Sequence, residues 1–96
     1  MTVEELRTEL EKMVSLLSSS GFGNVDSQTI ETLNIYAVTA GDLGMKEGKH
    51  LIENLLGAIK AIQEGKSKNE SGEVRLTALD FYIKKLSTDN GNIEEL

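Results

Sequence analysis

The search for chemistry begins at His50, the single histidine in the chain. There is no cysteine, which excludes thiol catalysis, disulfides and the usual His/Cys zinc sites. A Ser-His-Asp arrangement would have to use His50, and no nucleophile-elbow sequence presents a serine to it. Glu47-Gly48-Lys49-His50 has the Glu-x-x-His spacing that supplies metal ligands in bundle cores. It occurs once, so the sequence predicts an exposed histidine near a helix start and no metal site. Gly21-Phe22-Gly23 and Gly41-Asp42-Leu43-Gly44 follow no strand and precede no Gly-Lys-Ser/Thr, so they are not phosphate loops. The carboxylates Glu4, Glu5, Glu9, Glu11, Glu94 and Glu95 read as solvated faces and a tail rather than converging ligands. The expectation is a protein that is not an enzyme and needs no cofactor.

The elements that would position these groups are all helical. Thr2 with Glu5 three residues on is a capping-box pattern, and Val3, Leu6, Leu10, Met13 and Leu17 form an apolar stripe predicting a helix over 3–18. The serine run and Gly21-Phe22-Gly23-Asn24 end it, with Phe22 placed to plug the end of a bundle. Asp26 or Ser27 caps a second helix running to about Leu43, with Leu33, Tyr36, Ala37, Ala40 and Leu43 on one face. Leu51, Ile52, Leu55, Leu56, Ile59 and Ile62 make a third over 46–64, with Gly65 as its stop signal. Residues 66–72 read as a polar loop. Leu76, Leu79, Ile83 and Leu86 make a fourth helix over 73–86, and 87–96 read as a flexible tail. The absence of proline favours uninterrupted helices. The predicted fold is all-α, an antiparallel up-down-up-down four-helix bundle, in a single domain of 96 residues.

Composition narrows the partners. Apolar residues make up 39% and charged residues 27% of the chain, ordinary for a globular domain. A formal net charge of −6 repels a phosphate backbone and an anionic membrane surface, so neither nucleic acid nor membrane is expected. No apolar run approaches the ~18 residues of a spanning helix. The acidic start Met1-Thr2-Val3-Glu4-Glu5 lacks a basic signal-peptide region, so the expected location is cytoplasmic.

The second helix holds the most informative stretch, Asn34-Ile35-Tyr36-Ala37-Val38-Thr39-Ala40-Gly41-Asp42-Leu43-Gly44. At about 100° per residue, Asn34, Val38, Gly41 and Met45 share a narrow strip. It lies about a quarter to a third of a turn from the core face, with Ile30 bordering it. Val38 and Met45 are expected to be partly exposed beside a glycine, which suits docking of a partner helix or loop. Packing under the first helix or the Phe22 loop is the alternative, since bundle helices often bury wide stripes.

This stretch resembles the second helix of histidine-phosphotransfer (HPt) domains, four-helix bundles of two-component phosphorelays. Their pattern is close to His-x-Leu-Lys-Gly-Ser-Ala-x-x-Leu-Gly. Ala40, Leu43 and Gly44 match it, Thr39 replaces the serine, and Met45-Lys46-Glu47 leads into a long apolar helix as in the family. Asn34 stands at the phospho-accepting position, Ala37 at the lysine and Val38 at the following glycine. An amide nitrogen, its lone pair delocalised into the carbonyl, cannot accept a phosphoryl group as imidazole does. The resemblance therefore implies a pseudo-HPt protein that binds a response-regulator receiver domain or a histidine kinase without phosphoryl transfer. The contact residues it implies are Ile30, Asn34, Val38, Gly41 and Met45, with Lys49 at the edge. The alternative is a small helical adaptor or chaperone unrelated to phosphorelays. An enzyme or metal protein centred on His50 ranks last; phosphorelay activity on His50 in particular is disfavoured because Glu53 one turn on would repel a phosphoryl group.

Overall fold

The structure, a computed structural model, describes residues 1–89. Four helices succeed one another: α1 (Val3–Ser20), α2 (Ser27–Asp42), α3 (Lys46–Gln63) and α4 (Asn69–Asp89). Each packs on its sequence neighbours, and α4 closes the ring against α1. Neither diagonal pair makes a close backbone approach among the described residues. This is the expected all-α up-down-up-down bundle, 40 Å long and 21 × 18 Å across.

Local signals explain the starts of α1 and α2. Thr2 and Glu5 form the capping box, with Thr2 N donating to Glu5 Oε1 at 2.8 Å and Glu5 N to Thr2 Oγ1 at 3.1 Å. Asp26 caps α2 by accepting from Thr29 N at 2.8 Å. These bonds satisfy amides that the helices themselves leave unpaired.

The helix ends carry the first corrections. α1 runs to Ser20, two residues past the predicted stop, because the left-handed residue that ends it is Gly21 at φ 79°. α2 closes with Gly44 at φ 80°, Gly44 N donating to Gly41 O at 3.1 Å and Met45 N to Ala40 O at 2.8 Å. This pair of bonds is a Schellman motif. α3 ends the same way, with Gly65 N donating to Ile62 O and Lys66 N to Ala61 O. The α2 motif turns the chain back on itself, so helical rotation extrapolated beyond Asp42 misplaces the residues after it. Met45, expected on the surface strip, is 2% exposed and belongs to the core.

α4 starts at Asn69 rather than near Glu73. Ser71-Gly72 reads as a breaker, but Gly72 is buried within the helix with the Phe22 ring against it. The glycine is there for space, not for a turn. α4 also continues through 87–89 to Asp89; the remainder of the predicted tail, 90–96, lies outside the described residues.

The core is built from Leu6, Leu10 and Leu17 of α1, Leu33 and Ala40 of α2, Ile52, Leu55 and Ile59 of α3, and Leu79 and Ile83 of α4. Phe22, 2% exposed, and Val25 close one end, and Gln63 Nε2 ties that end by donating to Val25 O at 2.6 Å. At the other end the Tyr82 ring lies on Gly48. Burial, and after it the Glu47 carboxylate, push the Tyr82 hydroxyl above the ordinary tyrosine range.

Candidate functional site

α2 divides into three faces. Leu33, Ala37 and Ala40 are buried. Tyr36 turns toward α1, where its hydroxyl donates to Glu9 Oε1 at 3.2 Å. Burial and then the Glu9 carboxylate raise the Tyr36 pKa. The outward face carries Glu31, Asn34, Ile35, Val38 and Asp42, all exposed. Ile35 is 56% and Val38 60% exposed, two bulky apolar side chains one turn apart with an acid at either end.

Along one side of that face runs a groove between α2 and α3, of about 510 Å³. Ile30 and Asn34 form its α2 wall; Leu56, Gly57, Lys60, Gln63 and Glu64 form the α3 wall. An added Cβ on Gly57 would meet nothing within 4 Å, so the missing side chain widens the groove opposite Asn34. The groove thus combines an apolar base, an amide on one wall and an ammonium group on the other. It can bind and orient a polar segment. None of its side chains is a strong nucleophile.

The six residues expected to form the contact strip separate into four situations. Asn34 and Val38 are exposed, as expected. Ile30 is half-buried and lines the groove. Gly41 is half-buried beneath Lys49, whose Cδ would stand 3.1 Å from an added Cβ. Met45 is in the core and cannot touch a partner. Ala37, aligned with the lysine of the HPt pattern, is 4% exposed, so that position faces the core. The cation that shares the groove with Asn34 is Lys60 of α3.

Sequence reasoning missed Ile35 and the α3 wall. A signal for the wall was present. In a helical hairpin folded about Met45, Gly41 falls opposite Lys49 and Ile30 opposite Lys60, each pair equidistant in sequence from the turn. His50 is exposed, and no group of His, Asp or Glu side chains among the described residues is arranged to hold a metal ion. No described helix is long and apolar enough to cross a membrane.

Comparison with known protein families, curated proteins and solved structures finds no match.

Proposed function

We propose that this chain is a non-catalytic docking module that receives a partner protein on the outward face of α2 and the adjoining α2/α3 groove. Its partner on this reading is a response-regulator receiver domain or a histidine kinase, bound in the cytoplasm without phosphoryl transfer. The observation that carries the reading is the position of Asn34. It lies at the centre of α2, exposed, on the lip of the α2/α3 groove. That is where the HPt resemblance puts the phospho-accepting side chain, and an amide there keeps a hydrogen-bonding surface without a nucleophile. Ile35 and Val38 supply apolar contact beside it.

Charge limits the partner. α2 exposes Glu31 and Asp42 and contains no basic residue. Two copies packed antiparallel through this face would set Glu31 against Asp42 at both ends, which is repulsive. A partner with basic groups opposite Glu31 and Asp42, and a polar or acidic group opposite Lys60 in the groove, is favoured instead.

The test is an amide chemical-shift titration with isolated receiver domains and kinase dimerisation domains. Perturbation of Asn34, Ile35, Val38, Gly57 and Lys60, abolished by Val38→Asp, supports the proposal. Perturbation confined to α4, or none with any such partner, removes it. A helical adaptor unrelated to phosphorelays is the second reading, favoured by the burial of Ala37 where the HPt pattern has lysine. It predicts binding to α2 by partners other than receivers and kinases.

A further inference from the structure

The polar groups that line the α2/α3 groove are not all available to a partner. Glu64 pairs with Lys66, Oε1 to Nζ at 3.3 Å. Gln63 Nε2 donates to Val25 O at 2.6 Å. No hydrogen bond or ion pair joins Asn34 or Lys60 to another described residue. The chain as a whole has a net charge of −6, yet the charge left unpaired in this groove among the described residues is positive.

The two groups ask for different things. A lysine ammonium offers donors only, so Lys60 calls for an anion. An asparagine amide offers donors and an acceptor together, which complements the C=O and N–H of a peptide group. A partner helix has those backbone groups bonded internally, whereas an extended segment presents them. Ile30, one turn before Asn34, falls opposite Lys60 across the hairpin, so the two polar groups stand about 6 Å apart along the groove. Two residues of extended chain span about 7 Å. Gly57, opposite Asn34, has nothing within 4 Å of where its Cβ would be, so a second backbone can come close there. Half-buried Ile30 and Leu56 receive an apolar side chain.

The anion that fits is a carboxylate rather than a phosphate. A phosphate group carries nearly two negative charges at neutral pH and is held by clusters of cations. Here one lysine shares the groove with Glu64, which suits a single charge.

We infer that the groove takes an extended peptide segment of the partner, with an Asp or Glu side chain on Lys60 and a peptide group about two residues away on Asn34. The inference rests on the reading of this face as a docking surface and names what the partner brings to it.

Amide shifts of the isotope-labelled chain, titrated with the end-blocked peptide Ser-Leu-Glu-Leu-Ser, test it. Shifts at Asn34, Gly57 and Lys60 are expected. Glutamine in place of the peptide's glutamate weakens binding about three- to fivefold, the range of an exposed ion pair. Lys60→Gln weakens the glutamate peptide by the same factor and leaves the glutamine peptide unchanged; Lys60→Glu shifts the preference to a lysine peptide. Lys60 is exposed, so these variants keep the parent's unfolding midpoint. Equal affinity for the glutamate and glutamine peptides overturns the inference, as do preference for a phosphoserine peptide and shifts that miss the groove. A receiver or kinase domain that binds α2 equally well in the parent and in Lys60→Glu also overturns it, while the docking module stands. Peptide binding in the groove with no binding of receiver or kinase domains supports it and removes the phosphorelay partner instead.

Discussion

The ring of Phe22 occupies the space that a side chain on Gly72 would need. A Cβ at Gly72 would lie 2.7 Å from Phe22 Cδ2 and 2.8 Å from Cγ. In an open helix, Gly→Ala gains about 1 kcal/mol from propensity. Here the ring is 2% exposed and has no room to retreat. Overpacking should win, and Gly72→Ala should destabilise by about 1–3 kcal/mol, read from urea unfolding. Phe22→Leu in the same chain should recover part of that loss, since the smaller side chain clears the clash.

Gly57 is the counter-case. Nothing lies within 4 Å of an added Cβ, and the residue sits inside α3. Gly57→Ala should therefore stabilise by about 0.5–1 kcal/mol, seen as a higher urea midpoint with unchanged slope. Because the methyl group projects into the groove opposite Asn34, partner affinity should fall while stability rises. A coupled fall in both would contradict the open geometry.

Met45 and Val38 should behave oppositely. Met45→Ala removes a side chain that is 2% exposed and should cost about 2–5 kcal/mol. Val38→Ala, at 60% exposure, should change stability by no more than about 0.5 kcal/mol and should show its effect only on binding. Thermal unfolding of the two variants, side by side, checks the assignment of one to the core and the other to the surface.

The α2 cap sets an acid dependence. Hydrogen bonds from Thr29 hold the Asp26 carboxyl below the usual aspartate range. A lowered folded-state pKa means the cap stabilises above the unfolded value and fades as pH falls through the folded one. Asp26→Ala should thus be less stable than the parent at pH 7, with the gap closing below about pH 4. Asp26→Asn keeps a neutral cap and should lose this pH dependence. Unfolding midpoints measured from pH 7 to pH 2 decide it.

The bundle is legible in the sequence because its apolar stripes are regular: Leu6, Leu10 and Leu17, or Ile52, Leu55 and Ile59, are all buried where helical spacing puts them. Glycine is harder to read, since one residue type does three jobs. At Gly21, Gly44 and Gly65 it takes a left-handed conformation. At Gly72 and Gly48 it makes room for Phe22 and Tyr82. At Gly57 it leaves open space. Only the first job leaves a local signature, a stop at the end of an apolar stripe, so Gly72 passes for a loop residue. The proposed docking face is half legible: Asn34 and Val38 are placed by helix rotation within α2. Met45 is not, because the rotation ends at Gly44, and Lys60 is placed only once α2 and α3 are taken as a hairpin folded about Met45, which helix rotation within α2 does not supply.

The tight closure of α2 onto α3 also orders events in time. Only Leu43, Gly44 and Met45 separate the two helices, and their contacts join residues close in sequence. Loop closure there costs little entropy, so this hairpin can nucleate the fold. α1, which must meet α4 across the length of the chain, should dock late. Residues buried between α2 and α3, such as Leu33 and Ile52, should slow folding when truncated, whereas Leu10→Ala should chiefly speed unfolding. On that order the proposed docking surface would be carried by the part of the molecule that forms first.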